Sequence, residues 1–462
     1  MRLPAALALA TLFWVPGSLQ AERLMLRVAP GSLDAVLARY TLTLERTLRD
    51  PQGELHLVIA SSTAQTNTID DDPDVLDVET IDDIELPEVD DDEDLGASTA
   101  PLLEALAVPT LVEFYDSTAW TGYVEQPAAQ LIESTNVHDL ATGEDVTVAI
   151  IDTGVDPDHP LLRDTLVRGY DFLRDEPGFA PEWVDLNPAA AAQLQQSVAW
   201  ILEDVGVVRL NQSVAWILEQ SVAWILEDYE VPAAFGHGTM VAGLIRLVAP
   251  EARILPLKAF SGDGAAQTVD VVRAIYHAVD ADADVINMSF SIDAFSPEIL
   301  RAVNYAVQNG VICVAAAGNR GEETLVYPAA LGNVIGVGST SLDDERSAFT
   351  NFGDALVTLA APGEALITAF PGGGAYAAGW GTSFSAPLVS GTVALLLSLD
   401  EEAGGGDDDG DDSGSDTGSR PHRFLRVLEN LSDAQEILGQ GLGYGRLQTS
   451  EAVGEAVEGD NG

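Results

Sequence analysis

The most constraining stretch of this sequence is a serine that stands between a glycine and a long, largely apolar run. Residues 381–387 read GTSFSAP, and the run 388–399 follows directly, which predicts a helix that begins at the serine. The N-terminus of a helix presents unpaired N–H groups and the positive end of the helix dipole, and both favour a developing oxyanion. Pro387 is compatible with this prediction because the first turn of a helix tolerates proline. Ser383 is therefore a candidate nucleophile.

Two upstream segments supply the groups that a serine nucleophile needs. A hydroxyl is a weak nucleophile and requires a base that is itself oriented by a carboxylate. Residues 236–243 (GHGTMVAG) place His237 at the start of an apolar helix, and residues 146–154 (VTVAIIDTG) place Asp152 at the end of an apolar strand. Open parallel sheets hold their sites at the carboxyl ends of the strands. We expect Asp152 to orient His237, which takes the proton of the serine.

The order Asp, His, Ser within DTG, GHGT and GTSxxAP resembles that of the subtilisin-like serine peptidases. The resemblance covers roughly residues 118–450. It implies an α/β fold, with three layers around a mostly parallel central sheet, and a serine endopeptidase activity on protein or peptide substrates. It also implies a fourth catalytic element, Asn319, which follows the apolar strand 311–316. Its side-chain amide would complete an oxyanion hole with the backbone N–H of Ser383.

The same resemblance implies where a substrate binds. An extended peptide would add as a strand between two segments of the enzyme and pair with their backbones, a mode that selects unfolded or loop segments. A small-residue floor would leave room for an apolar side chain in the first specificity pocket, with Phe290 on its wall. The implied substrate-binding residues are Gly264, Ser289, Phe290, Ser291, Ala316, Ala317 and Gly318.

The first 21 residues are typical of a secretory signal. They carry Arg2, an apolar stretch over 7–15, and small or polar residues before Ala21, as an exported protein requires. We therefore expect a secreted or periplasmic protein. No later apolar run is expected to approach the about 18 residues that span a bilayer.

Residues 22–87 have the pattern of a small α+β domain. Alternating apolar residues predict strands over 24–28, 41–48, 54–60 and 75–79 and a helix over 32–40. The position and the order resemble the propeptide that chaperones and inhibits subtilisin-like peptidases. Its end would then occupy the active-site cleft, and maturation would cut in the acidic linker that follows, residues 88–117. A small structural or partner-binding domain is the alternative.

The charge of the chain excludes some partners. The formal net charge is −53, and Lys258 is the only lysine among 21 basic residues. Such a surface repels nucleic acid and anionic membranes. Adaptation to salt and a codon bias towards Arg and Ala are both open as explanations. The single cysteine, Cys313, has no partner for an internal disulfide and lies in an apolar strand, where a buried structural thiol is expected.

The predicted peptidase domain, residues 118–462, contains two unusual segments. The octapeptide QSVAWILE occurs three times within residues 196–227, a period that matches neither a heptad nor a known solenoid. This insertion is either a collapsed loop without a role or an apolar patch that grips substrate or partner. The second segment, residues 400–419, is acidic and glycine-rich and predicts a surface loop.

The metal and cofactor predictions follow from departures from the family pattern. The family's tight calcium site uses an aspartate after the His-Pro pair, and here Leu161 follows His159 and Pro160. We therefore assign no metal ligand, although structural calcium elsewhere is left open. The expected triad chemistry needs no organic cofactor. The competing hypothesis is a catalytically idle binding or ion-binding protein on the same fold, which a missing triad member would have favoured.

Overall fold

The computed structural model describes residues 22–49, 56–62, 69–81, 83–86, 110–186, 232–404, 420–432 and 440–459. Four of the segments singled out above lie wholly or mostly outside this part of the chain. They are the signal-like residues 1–21, the linker up to residue 109, the insertion 196–227 and residues 405–419 of the acidic run. The chain divides into two compact units, residues 1–81 and 82–462.

The first unit is an antiparallel sheet with one helix packed on it. Leu24, Leu26 and Val28 lie on one face of the first strand, since successive side chains alternate between faces, and they form an apolar core with Val36 of the helix. The elements are β1 (Glu22–Val28), α1 (Leu33–Tyr40), β2 (Thr43–Arg49), β3 (His56–Ser62) and β4 (Val75–Thr80). Their order in the sheet is β2-β3-β1-β4. The α+β fold predicted for this part of the chain is confirmed.

The second unit is built on a mostly parallel sheet of eight strands. The strands of this unit, which include three two-stranded sheets besides the central one, are β5 (Asp83–Glu85), β6 (Leu111–Phe114), β7 (Ser117–Trp120), β8 (Thr147–Asp152), β9 (Gly169–Asp171), β10 (Glu176–Gly178), β11 (Arg253–Lys258), β12 (Ala265–Gln267), β13 (Val285–Met288), β14 (Ile312–Ala316), β15 (Val334–Thr340), β16 (Leu359–Pro362), β17 (Leu366–Phe370) and β18 (Ala375–Gly379). The central order is β10-β9-β11-β8-β13-β14-β15-β16. Only the β9–β10 pair of this sheet is antiparallel. Every residue of β8 is buried, since both faces of a parallel sheet are covered.

The helices of the second unit are α2 (Thr121–Val124), α3 (Pro127–Leu131), α4 (His237–Val248), α5 (Thr268–Asp280), α6 (Pro297–Gln308), α7 (Thr382–Gly404), α8 (Arg420–Leu431) and α9 (Thr449–Gly459). The chain moves from β8 to β11 in one direction across the sheet and from β11 to β13 and β14 in the other. Right-handed crossovers therefore place α4 on one face and α5 and α6 on the opposite face. Helix α7 packs on α4. The predicted three-layer α/β fold is confirmed.

Helix α7 is long and apolar enough to cross a membrane by length and composition alone. Its window Thr382–Leu399 has a mean hydropathy of 1.5 over 18 residues. The prediction that no apolar run after the signal-like segment would approach this length is therefore wrong. However, 94% of the window is buried inside the protein. Burial of this kind is typical of a core helix that is apolar all round.

The lone cysteine lies in the middle of the sheet. Cys313 is buried in β14, and burial raises the pKa of its thiol to about 12. It is therefore a protonated, structural thiol, as the apolar strand predicted.

Helices α7 and α4 come close together at a glycine. A Cβ atom built on Gly391 would lie 2.7 Å from Cβ of Val248 and 3.0 Å from its Cγ1. Non-bonded carbon atoms prefer about 3.5–4.0 Å, so the crossing needs a residue without a side chain.

We expect Gly391→Ala to push the two helices apart and to lower the free energy of unfolding by about 1–3 kcal/mol, the usual cost of overpacking. Gly454→Ala in α9 is the matched control, because its Cβ would meet nothing within 4 Å and alanine is favoured there by about 0.5–1 kcal/mol. Thermal unfolding of both variants in Ser383→Ala protein, which avoids self-digestion, measures the difference. Equal melting temperatures would show that the helices do not meet as described.

Candidate active site

Three elements bring the predicted triad residues to the carboxyl edge of the sheet. Asp152 ends the central strand β8, His237 begins α4, and Ser383 is the second residue of α7. The Nδ1 atom of His237 lies 2.8 Å from Oδ1 of Asp152. Both side chains are buried, with 4% and 1% exposed. The contact fixes the imidazole so that Nε2 is the nitrogen left to take part in proton transfer.

Two motif glycines permit this close approach. A Cβ on Gly238 would lie 2.0 Å from the carbonyl oxygen of Gly154 and 3.1 Å from Oδ1 of Asp152. Gly154 has φ +104° and a Cβ there would lie 2.2 Å from the carbonyl oxygen of Ala180. Gly238 is therefore required by the packing of the first turn of α4 against the Asp152 turn, and Gly154 by the approach of that turn to Ala180.

The surroundings of His237 favour its protonated form. Burial alone lowers the pKa of His237, but the charge of Asp152, the hydrogen bond to it and the charge of Glu182 raise the pKa above its ordinary value of 6.5. The Nε2 atom of His237 and Oδ2 of Asp152 are buried without a hydrogen-bond partner among the described residues. An imidazole held in this way is suited to accept a proton at Nε2 and to be stabilised as an imidazolium.

The hydroxyl of Ser383 is turned towards a backbone carbonyl. Its Oγ donates to the carbonyl oxygen of Ser289 at 3.1 Å, and Oγ of Ser289 donates to the carbonyl oxygen of Ser383 at 2.8 Å. Beneath this pair, Asn287 donates to Oγ of Ser289 at 2.9 Å and accepts from Ser390 at 2.8 Å. Transfer of the serine proton to His237 therefore requires a rotation of the hydroxyl, and catalytic hydrogen bonds are often formed only with substrate bound.

The oxygen of the Asn319 side chain is held by the residue that precedes Ser383. Oδ1 of Asn319 accepts from the backbone N–H of Thr382 at 2.9 Å and from its hydroxyl at 2.8 Å. The same hydroxyl accepts from the backbone N–H of Gly318 at 3.0 Å. These bonds fix the amide plane and so the direction of its nitrogen, which is the atom that would donate to an oxyanion. The sequence motifs did not identify this role of Thr382 in holding Asn319, although Thr382 lies inside the GTS motif.

Most of the predicted substrate-binding residues lie in two segments, residues 316–318 at the end of β14 and residues 289–291 after β13. Ala316 ends β14 and is followed by Ala317, and both are buried. Gly318 has φ +87°, and a Cβ there would meet Nδ2 of Asn351 at 2.6 Å and Oγ of Ser291 at 3.1 Å. Two further residues are fully buried: Ser289 beneath Ser383, and Phe290, which packs on Phe260 with ring centroids 5.1 Å apart.

A short segment of the chain pairs with the remaining predicted site residue, Gly264. Strand β5 runs antiparallel to β12, with Ile84 opposite Ala266. The N–H of Leu86 donates to the carbonyl oxygen of Gly264 at 2.9 Å. Ile84 and Leu86 are buried, with 2% and 7% exposed. This segment occupies the edge at which the sequence analysis placed an extended substrate.

A buried carboxylate that the sequence analysis did not identify lies beside the Asp152–His237 pair. Oε1 of Glu182 lies 2.5 Å from Oγ1 of Thr153, and Oε2 lies 2.5 Å from Oγ1 of Thr239. Burial raises the pKa of Glu182 to about 7, against the effect of these two hydrogen bonds. No local pattern marks Glu182, because it is distant in sequence from His237 and belongs to no motif.

No group of three or more His, Cys, Asp or Glu side chains that could hold a metal ion occurs in the part of the chain that the structure describes. His159, next to the Leu161 position discussed above, is buried and its Nε2 lies 2.9 Å from the carbonyl oxygen of Ala375. It is a structural histidine.

A buried carboxylate, an imidazole and a serine at the carboxyl edge of a parallel sheet are typical of α/β serine hydrolases. The chain belongs to the subtilase family, whose family model matches residues 143–407. The family predicted from the three motifs is therefore confirmed, and the protein is a serine peptidase.

Relatives and solved structures agree with this assignment. The major intracellular serine protease of Bacillus subtilis (strain 168) is 34% identical over 276 residues, which cover 56% of this chain and 71% of that protein. Thermitase of Thermoactinomyces vulgaris is 30% identical over 288 residues, or 60% of this chain and 84% of that protein. Fervidolysin from Fervidobacterium pennivorans, a keratinolytic enzyme related to subtilisin, superposes with a TM-score of 0.63 at 19% identity, over 95% of this chain and 62% of that chain. At that identity the likeness shows the fold alone.

We expect the specificity constant kcat/KM to fall as the pH drops through a midpoint above 6.5, because the pKa of His237 is raised above that value and the imidazolium cannot accept the serine proton. Rates on a chromogenic peptide across the pH range measure this limb. Asp152→Asn removes the main charge that raises the pKa and should move the midpoint down. A midpoint below 6.5 in folded wild-type protein would contradict the described surroundings of His237.

Proposed function

We propose that this serine peptidase is an endopeptidase whose catalytic residues are Asp152, His237 and Ser383. The observation that carries the proposal is the buried 2.8 Å contact between His237 Nδ1 and Asp152 Oδ1. The start of helix α7 lies close by, since the ring of Phe384, the residue after Ser383, is centred 5.4 Å from the ring of His237. Ser383 Oγ attacks the peptide carbonyl carbon while Nε2 of His237 takes its proton. Asp152 stabilises the resulting imidazolium.

The later steps use the same groups. The carbonyl oxygen becomes negative in the tetrahedral intermediate, and the backbone N–H of Ser383 and the amide of Asn319 donate to it. His237 returns the proton to the leaving amine, and water then hydrolyses the acyl-enzyme by the same route. This chemistry needs no organic cofactor.

The substrate strand is proposed to bind along β12. Support comes from β5, which adds to β12 as an antiparallel strand with Ile84 and Leu86 buried. A peptide bound in this way would present side chains alternately to the enzyme and to solvent. We therefore propose extended protein or peptide substrates with aliphatic residues two positions apart, bound between β12 and the Ser289–Ser291 segment.

We further propose that residues 22–87 form an inhibitory propeptide. The residues just before its predicted end, 83–86, already lie on the edge proposed for substrate. Export is proposed from the signal pattern of residues 1–21. Two relatives are named as intracellular, so fractionation of cells that express the full chain is the direct test of location.

The first experiment compares wild-type and Ser383→Ala protein incubated with casein at several salt concentrations. We expect casein cleavage and loss of the N-terminal region in the wild type only, because Ser383 is the attacking group. Mass spectrometry identifies both products and the processing site. If both proteins stay intact and casein survives at every salt level, the catalytically idle binding protein becomes the better hypothesis.

A second experiment tests the propeptide. A peptide of residues 80–87 should inhibit the mature enzyme competitively. Its Ile84→Asp/Leu86→Asp form should bind at least about tenfold more weakly, because each lost aliphatic contact is worth about 1.5–3 kcal/mol. A scrambled peptide of the same composition is the control. Equal inhibition by the parent and the double variant would exclude the β5 segment as the inhibitory element.

A further inference from the structure

A 3-10 turn of four residues, Glu182–Asp185, contacts the residues that follow Asp152 and His237 along the chain. Glu182 lies 2.5 Å from the hydroxyl of Thr153, which follows Asp152, and 2.5 Å from the hydroxyl of Thr239 in the first turn of α4. It also accepts from the backbone N–H of Gly238 at 3.2 Å. Its side chain is 1% exposed, so water does not compete for these contacts.

We propose that Glu182 is a positioning residue: its carboxylate ties the turn after Asp152 to the start of the His237 helix and so fixes the distance between the two catalytic side chains. The inference rests on the proposed roles of Asp152 and His237. It adds a residue that itself contacts neither substrate nor the reacting atoms.

The hydrogen bonds of both threonines leave Glu182 as the common acceptor. The hydroxyl of Thr239 accepts from the backbone N–H of Asp156 at 2.9 Å and donates to Glu182. The hydroxyl of Thr153 accepts from the N–H of Gly238 at 3.0 Å, and the backbone N–H of Thr153 donates to Asp152 Oδ1 at 2.7 Å. Loss of the carboxylate would leave the buried hydroxyl of Thr239 without its acceptor. The hydroxyl of Thr153 would keep only Oδ1 of Asp152, at 3.3 Å, so the turn and the helix would be forced to shift.

The turn is itself held in place from two sides, so Glu182 is a fixed point. The ring of Trp183 packs edge-on against Phe235, with centroids 5.2 Å apart, just before α4. Asp185 accepts from Nζ of the buried Lys258 at 2.6 Å and from Arg174 at 2.6 Å. A side chain anchored in this way can transmit its position to the groups that it contacts.

Charge provides a readout that packing alone would not change. The ionisable groups that face Glu182 are Asp152, His237 and Lys258. The pKa of Glu182 is itself raised to about 7, so Glu182 and His237 titrate over overlapping pH ranges. Because the ionised form of Glu182 raises the pKa of His237, Glu182→Gln should move the acid limb of kcat/KM to lower pH. A side chain that acts through its shape alone would leave that midpoint unchanged.

The test compares Glu182→Ala and Glu182→Gln with wild type. A misplacement of about 1 Å costs about 100-fold in rate, so we expect Glu182→Ala to lower kcat by about 10- to 100-fold with KM nearly unchanged. Glutamine keeps the shape and an acceptor oxygen and should restore most of kcat. The matched control is Glu298→Gln, another buried glutamate, which pairs with Arg301 in α6 and should leave kcat, KM and the pH limb unchanged.

A second measurement does not need activity. In Ser383→Ala protein, the Nδ1 proton of His237 should give a low-field proton NMR signal from its bond to Asp152. Glu182→Ala should shift or broaden this signal. If wild type is inactive but the signal responds to Glu182, the proposed function fails and the positioning role stands.

Unchanged kcat, acid limb and NMR signal in folded Glu182→Ala would overturn the inference. If Glu182→Ala does not fold, the acid limb of Glu182→Gln and the kcat of Thr239→Val test the inference instead. The inference then requires a lower acid-limb midpoint in the glutamine variant and a reduced kcat in the valine variant. Wild-type values in both would overturn it.

Discussion

The buried contact between Asp152 and His237 is the interaction on which the rest of the site depends. Removing a carboxylate and an imidazole from water is costly unless both are paired and hydrogen-bonded. Here the carboxylate accepts from His237 and from the N–H of Thr153, and the approach is possible only because Gly238 has no side chain. The central strand must therefore end, and helix α4 must begin, within a few ångströms of each other, which constrains both elements.

The sheet supplies that constraint through its topology. The chain runs from β8 to β11 on one side and then crosses over β8 to β13 on the other side. A crevice therefore opens at the carboxyl end of β8. Helix α7 then crosses α4 closely at Gly391 and brings Ser383 to the same edge. Because 94% of its apolar residues 382–399 are buried, this one helix contributes a large part of the core.

The three candidate catalytic residues could be picked out from the sequence because each lies in a short motif whose glycines and strand or helix boundaries are local. The N-terminal unit was likewise predictable from alternating apolar residues. The roles of Glu182 and Ser289 were not accessible in this way. Glu182 acts across two motifs that are far from it in sequence, and Ser289 was expected to face substrate but donates to the carbonyl of Ser383. Such contacts depend on how the strands and helices stack, which periodicity alone does not determine.

The position of the only lysine shows the same dependence on three-dimensional context. In a chain of net charge −53 that otherwise uses arginine, Lys258 is fully buried, and its Nζ reaches the carbonyl oxygens of Thr153 and Phe260 and the carboxylate of Asp185. An ammonium group has three donors on a compact centre, whereas a guanidinium is a broad planar fork. Three acceptors that converge on one point beside the Asp152 turn therefore require lysine, while exposed positions that need only a positive charge accept arginine. The single lysine of the chain is thus explained by the acceptors that surround it and not by the overall charge.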